Sequence, residues 1–155
     1  MSDPTPPALE LVAQLSVRVA TPVDVGHTVA GTRRVVSILG GDVTGPRLFG
    51  RVVPGGADFQ LVRPEGVAEL DARYVLELAD GTAVYVTNRA MRRATPEVTQ
   101  QLMRGEPVDP ALVYFRCAPR FEVVAGPWRW LAESLFIGTG VRRPQSVEMA
   151  FYRVL

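Results

Sequence analysis

The sequence contains no lysine, and all seventeen of its basic residues are arginine. Lysine Schiff-base chemistry, including covalent attachment of pyridoxal phosphate, is therefore excluded. Cys117 is the only cysteine and His27 the only histidine. A disulfide needs two cysteines and a typical zinc site needs three or four ligands, so we expect no metal and no cofactor. Cys117 alternates with Phe115 in an apolar stretch and is predicted to be a buried thiol, whereas His27, beside Gly26, is predicted in an exposed turn.

The sequence also lacks a charge excess and long apolar runs. A net charge of +1 argues against a nucleic-acid partner, because phosphate contacts require clustered positive charge. No apolar run is long enough for a membrane span or an export signal, so we expect a cytoplasmic protein with no membrane partner. The proline-rich residues 1–7 are predicted to be a disordered tail, and residues 8–155 a single β-barrel domain.

Period-two alternation of apolar and polar residues runs through the chain and is typical of half-buried strands. Leu11, Ala13 and Leu15, for example, alternate with polar neighbours. Glycine-containing stretches between the alternating segments predict tight turns at 40–42, 54–56, 64–66 and 80–81. The predicted strands are 9–19, 31–39, 46–53, 57–63, 67–78, 82–90, 111–122, 129–138 and 146–154.

Residues 95–104 interrupt this alternation. Thr95 is a suitable capping residue, Pro96 suits the first helical position, and Gly105 follows the last turn. The segment is predicted to be a short helix whose Val98 and Leu102 face the sheet. About nine strands and one short helix predict an all-β fold, a closed or nearly closed antiparallel β-barrel, because closure removes exposed strand edges.

Residues 40–60, GGDVTGPRLFGRVVPGGADFQ, resemble the sequence signature of the domain of unknown function family 3237. The resemblance continues through 71–74, 114–116, 130–131 and 136–140, and so covers nearly the whole chain. It implies a barrel similar to allene oxide cyclase and the dirigent proteins. Such a barrel would hold a small hydrophobic ligand in a central cavity, often within an oligomer, and we expect a homo-oligomer, most simply a dimer. One departure is alanine at position 90, where relatives tend to have glycine.

Three residues are candidates for catalysis: Asp58, Arg73 and Tyr114. Asp58 follows the 54–56 turn and is either a general base or a residue that caps the turn. Arg73 either pairs with Asp71 on the outer face of its strand or, if that face points inward, binds an anionic group. Tyr114 beside Arg116 could polarise a carbonyl group, or could form a cross-strand hydrogen bond.

Five further residues are candidates for ligand binding, and for the aromatic ones a place in the structural core is the default interpretation. Tyr74 points at the ligand only if the apolar face of its strand, rather than the Asp71 and Arg73 face, lines the cavity. The five candidates are Phe49, Tyr74, Asn88, Arg116 and Trp130.

Two functions fit these residues. The first is a cofactor-independent enzyme of the isomerase, cyclase, hydratase or lactone and ester hydrolase type, acting on a mostly apolar carbonyl or phenolic compound. The second is a non-catalytic carrier that binds the same kind of compound. Polar groups that converge in a cavity favour the enzyme, whereas a purely apolar cavity favours the carrier.

Overall fold

The computed structural model describes residues 2–155, which form one nine-stranded antiparallel sheet. Residues 2–8 carry no regular secondary structure and are exposed. The strands are β1 (Leu9–Val19), β2 (Val23–Thr28), β3 (Gly31–Thr44), β4 (Gly50–Val62), β5 (Val67–Leu78), β6 (Ala83–Arg93), β7 (Tyr114–Glu122), β8 (Phe136–Arg142) and β9 (Ser146–Val154). The helix α1 spans Pro96–Met103, and two short 3₁₀ helices span Pro110–Leu112 and Arg129–Ala132.

The sheet closes into a barrel because β1 pairs with both β9 and β3. The pairing order from β1 through β9, β8, β7, β6, β5 and β4 to β3 gives an eight-stranded barrel, and β2 adds to the outside edge of β3. The predicted closed antiparallel barrel is therefore confirmed. Among residues 2–155, no helix is long and apolar enough to span a bilayer.

Alternation along each strand decides which side chains fill the barrel. On β7, Phe115, Cys117, Pro119 and Phe121 are buried, while the residues that alternate with them are exposed. One half of the barrel is packed solid with aromatic and aliphatic side chains, and the rings of Phe121 and Phe136 meet edge-on at 4.9 Å between centroids. The other half lies at the end where β6 leads into α1, and it contains the polar residues described below.

The sequence correctly predicts α1, including its capping. The Thr95 hydroxyl accepts a hydrogen bond from the Val98 amide at 3.2 Å, and Pro96 begins the helix. Leu102 is buried as expected. The Met103 carbonyl accepts a hydrogen bond from Arg34 at 3.0 Å, which fastens the helix over the end of the barrel.

Several strand boundaries differ from the predictions. The glycines at 40–41 and 55–56 lie inside β3 and β4, where the register shifts, rather than in turns between strands. A shift of register leaves some residues unpaired and bends a strand without ending it. The single strand β4 therefore takes the place of the two predicted strands 46–53 and 57–63. Residues 129–132 form a 3₁₀ helix instead of a strand. His27 lies in the unpredicted strand β2, exposed and within 3.0 Å of the Thr32 hydroxyl, because this short edge strand has little alternation.

Candidate functional site

A cavity of about 50 Å³ lies inside the half of the barrel next to α1. Aliphatic side chains from β1, β3 and β5 form much of its wall, and Phe115 and Met149 contribute from β7 and β9. Six polar or charged side chains also line it: Asp58, Gln60, Tyr74, Asn88, Arg92 and Arg142. Polar groups thus converge in the barrel from four strands, β4, β5, β6 and β8.

The structure decides which face of β5 points inward. Tyr74 is only 3% exposed and lines the cavity, and Leu70 and Ala72 lie on the same face. Asp71 and Arg73 point outward and form an ion pair at 3.3 Å on the outer surface. Arg73 is therefore not in the cavity, and the alternative in which it binds an anion there is wrong, because strand parity places it on the opposite face.

Asp58 is the carboxyl group of the cavity. Its Oδ2 accepts a hydrogen bond from the Gln60 side-chain amide at 2.8 Å, whereas its Oδ1 is buried without a partner. Burial raises the pKa of Asp58 above its usual value, and the Gln60 hydrogen bond and the charge of Arg92 oppose this shift only in part. A carboxyl with a raised pKa and a free oxygen is suited to exchange protons with a bound molecule.

This burial has a consequence for stability. The pKa of Asp58 in the folded protein lies above its unfolded value of 3.8. Ionisation of this carboxyl therefore lowers the free energy of unfolding as the pH rises above 3.8. We expect Asp58→Asn to stabilise the protein at neutral pH by about 1 kcal/mol, or roughly 2–4 °C in Tm. The gain should disappear in acid, where Asp58 is protonated in both states. Thermal unfolding followed by circular dichroism across this pH range measures it.

Asp71→Asn is the matched control for this measurement, since Asp71 lies on the neighbouring strand but on the outer face. The control removes an exposed ion pair and should change stability little. A stability gain that is the same in acid as at neutral pH would contradict the assigned burial of the Asp58 charge.

Tyr74 and Asn88 add uncharged polar groups to the cavity. The Tyr74 hydroxyl and the Asn88 Oδ1 atom are buried without hydrogen-bond partners, while the Asn88 amide nitrogen donates to the Met149 sulfur at 3.4 Å. Burial raises the pKa of Tyr74 well above its usual value, so the hydroxyl keeps its proton. The Asn88 side chain lies near enough to the Tyr74 hydroxyl to oppose this rise in part, but neither atom has a partner with hydrogen-bond geometry, so both can still bind a ligand.

The other predicted catalytic residue, Tyr114, lies outside the barrel. It is 44% exposed at the start of β7, where the guanidinium groups of Arg93 and Arg116 lie 5.0 and 5.3 Å from its ring centre. Arg116 is exposed on the same outer face, and its guanidinium donates to the Phe115 carbonyl at 2.9 Å. Neither side chain lines the cavity, because the inward positions of β7 are those of Phe115 and Cys117.

Phe49 and Trp130 also lie away from the cavity. Phe49 is 55% exposed, and its ring lies against Gly45 in the connection between β3 and β4. Trp130 lies in the second 3₁₀ helix, where the guanidinium of Arg47 stacks on its ring at 4.6 Å. Of the eight predicted site residues, the structure therefore brings Asp58, Tyr74 and Asn88 together. Their functional roles remain predictions.

Sequence reasoning missed Gln60, Arg92, Arg142 and Met149 in the cavity wall. A usable signal existed for two of them. Gln60 lies two residues after Asp58 on β4, and Arg92 lies four residues after Asn88 on β6, so each pair shares one face of its strand. If Asp58 and Asn88 face the cavity, strand alternation predicts that Gln60 and Arg92 face it too. Arg142 lies at the end of β8, where the sequence predicts no strand, so parity could not place it.

Cys117 is buried, as predicted, and burial raises the pKa of its thiol to about 11. At neutral pH the thiol is protonated and shielded, and a protonated thiol is a poor nucleophile. We expect the native protein to react with a water-soluble disulfide reagent at least about 100-fold more slowly than the guanidinium-unfolded protein. Release of the coloured thiolate measures both rates. Equal rates would show that Cys117 is accessible.

The chain matches the family model described as "Protein of unknown function (DUF3237)" over residues 7–154. A UPF0311 protein of Bradyrhizobium diazoefficiens is 43% identical over 144 residues, covering 93% of this chain and 94% of that protein. The crystal structure of a conserved protein of unknown function from Rhodopseudomonas palustris superposes with a TM-score of 0.91 at 38% identity, covering 99% and 100% of the two chains.

A more distant structure, described as an enzyme from Penicillium herquei, superposes with a TM-score of 0.74 at 20% identity. It covers 100% of this chain and 99% of that chain, and at this identity it shows a shared fold alone. The family model, by contrast, matches the sequence over residues 7–154, and the Bradyrhizobium diazoefficiens relative is 43% identical over 93% of this chain. The chain therefore belongs to the DUF3237 family of proteins of unknown function.

Proposed function

We propose that the protein is an acid–base enzyme that acts with its own side chains on a small carbonyl or phenolic compound in the barrel cavity. One observation carries the proposal: a carboxyl oxygen of Asp58 and the hydroxyl of Tyr74 are both buried, both without partners, and both face the same cavity. Unpaired buried polar atoms are costly to a fold. Their convergence is explained if a bound molecule supplies the partners.

The two groups suit different steps of a proton-transfer reaction. Asp58, when ionised, can take a proton from a carbon next to a carbonyl group or from a phenol, because its Oδ1 is free to accept. Tyr74 keeps its proton and can donate a hydrogen bond to the oxygen that gains negative charge. The proton held by Asp58 then returns to the product at a second atom, so an isomerisation or ring closure consumes no further reagent.

Exchange of hydrogen for deuterium tests this proposal directly. The protein is incubated in deuterated water with small ketones and oxo acids, such as butanone, 4-hydroxyacetophenone and 2-oxobutanoate, and loss of the signal next to the carbonyl is followed by proton NMR. We expect the wild-type protein to accelerate exchange for at least one compound. We expect Tyr74→Phe to reduce this rate by about 10- to 100-fold, as for loss of an oxyanion donor.

Tyr114→Phe is the matched control, because it removes the same atom from an exposed tyrosine outside the barrel. It should leave the exchange rate unchanged. A compound that binds in the cavity without accelerated exchange would contradict the enzyme and support a carrier protein instead. Equal losses in the two tyrosine variants would show that the effect does not arise in the cavity.

A further inference from the structure

The cavity contains a buried cation that has no ion-pair partner. Arg92 lies near the end of β6, is 4% exposed and lines the cavity. Within residues 2–155, Arg92 takes part in none of the ion pairs, its side chain forms no hydrogen bond to another residue, and its guanidinium nitrogens keep some accessible surface in the cavity. Burial lowers the pKa of Arg92 to about 10, so the group remains a cation at neutral pH. Buried arginines are normally paired, because an isolated charge is expensive to remove from water.

The nearest charges do not neutralise Arg92. Asp58 attracts it, but the carboxyl lies beyond ion-pair distance, and its raised pKa weakens it as a counterion. Arg34 and Arg142 are also close enough to oppose its charge. Asp24 neutralises Arg34 at 2.7 Å, whereas Arg142 donates only to the carbonyls of Arg143 and Ser146. This end of the barrel therefore carries an excess of positive charge.

The cavity lies next to an outer groove, and the two share wall residues. Arg142 and Val19 line both the cavity and a groove of about 810 Å³ between α1 and the ends of β1 and β8. A cavity of about 50 Å³ is small beside the 300–1,000 Å³ that is typical of pockets for drug-sized ligands. It has room only for the head of a very small ligand, such as a carboxylate with its neighbouring carbonyl, and a larger ligand would require the side chains shared with the groove, Val19 and Arg142, to move.

These observations define the charge and size of the head group. A guanidinium presents parallel N–H donors that match the two oxygens of a carboxylate. A carboxylate also carries one charge into the cavity, whereas a phosphate carries up to two and needs more space and more donors. We propose that the cavity binds a small oxo acid, with its carboxylate on Arg92 and Arg142 and its carbonyl oxygen at Tyr74.

This inference rests on the proposed function, because it assigns the substrate class of the same cavity. The test of the oxo-acid assignment measures binding alone, so this assignment and the proposed enzyme activity can be contradicted separately. Binding of a carboxylate without proton exchange would overturn only the enzyme. Exchange with neutral ketones and no binding of carboxylates would overturn only the oxo-acid assignment.

The probes are propanoate and propanamide, which have nearly the same size and differ in charge, with inorganic phosphate as a third. Each is titrated at constant ionic strength into ¹⁵N-labelled protein, and the backbone amides and the arginine Nε–H signals are followed by NMR. We expect propanoate to shift the Arg92 signal and to bind at least about tenfold more tightly than propanamide, as for a charge-assisted hydrogen bond. Equal affinities, no binding, or tighter binding of phosphate would each overturn the proposal.

Variants locate the binding site. Arg92→Met should weaken propanoate binding at least about tenfold, whereas Arg93→Met, which alters the exposed neighbour on the same strand, should not. Arg142→Met provides a second test at the entrance, in case Arg92→Met does not fold. Equal weakening in Arg92→Met and Arg93→Met, or unchanged affinity in a folded Arg92→Met or Arg142→Met, would show that the carboxylate binds elsewhere.

Discussion

Asp58→Asn is expected to lower the rate of catalysed deuterium exchange by about 10²- to 10⁴-fold, the usual contribution of a general base. Asparagine keeps the size of the side chain and can still interact with Gln60, but it cannot accept a proton at neutral pH. The NMR assay described for Tyr74→Phe measures the effect. Because the same variant should be more stable at neutral pH, a lower rate cannot be attributed to unfolding.

The dependence of the rate on pH adds a second readout. If Asp58 acts as the base, the wild-type rate should rise with pH through a midpoint above 3.8, since burial raises the pKa of this carboxyl. Asp71→Asn, which alters the exposed carboxyl on the neighbouring strand, should retain the wild-type rate, and its midpoint should fall only a little, because the Asp71 charge is the smallest contribution to the pKa of Asp58. An Asp58→Asn variant with the wild-type rate would refute the assigned role, whatever its stability.

Gly41→Ala is expected to destabilise the barrel by about 4 kcal/mol or more, which places it among the most damaging single substitutions. Gly41 lies on β3 opposite Val17 of β1, in the pairing that closes the barrel. A methyl group at this position would overlap the backbone carbonyl oxygen of Ser16. Backbone atoms cannot move aside as a flexible side chain can, so the β1–β3 pairing itself would have to separate. Chemical denaturation followed by circular dichroism measures the loss.

Gly55→Ala is the matched control for the barrel closure. Gly55 has a positive φ of 115°, but a methyl group there would meet no atom within 4 Å. This variant should therefore cost only the backbone strain of a positive φ, about 1–2 kcal/mol. If the two alanine variants were equally stable, backbone conformation rather than the close approach of β1 and β3 would explain the need for glycine.

Local features of the sequence were sufficient for the elements whose causes are local. Thr95 and Pro96 predict the start of α1 because capping involves atoms within a single turn of chain. The alternation on β5 predicts a strand with Tyr74 and Arg73 on opposite faces. The burial of Cys117 also follows from its alternation with Phe115. In each case the evidence lies within a few residues of the predicted feature.

Features that depend on distant parts of the chain could not be predicted in this way. Glycine pairs predict turns when only their neighbours are considered, yet Gly41 lies within β3 because β1 packs against it from elsewhere in the sequence. The sequence also does not determine which face of β5 points inward. Alternation divides the side chains of a strand between two faces, but it does not show which face points toward the barrel axis. The same holds for β7, where the sequence alone does not show that Tyr114 and Arg116 lie outside the barrel, away from Asp58.

By itself, the sequence determined an antiparallel barrel with one capped helix, a buried thiol and no lysine chemistry, because composition, alternation and turn chemistry are properties of short segments. Only the tertiary structure decided that Asp58, Tyr74 and Asn88 share a cavity with the unpaired Arg92. Closing the sheet brings β4, β5 and β6 around one axis, and removal from water gives their polar groups unusual pKa values. Both effects depend on contacts between distant segments.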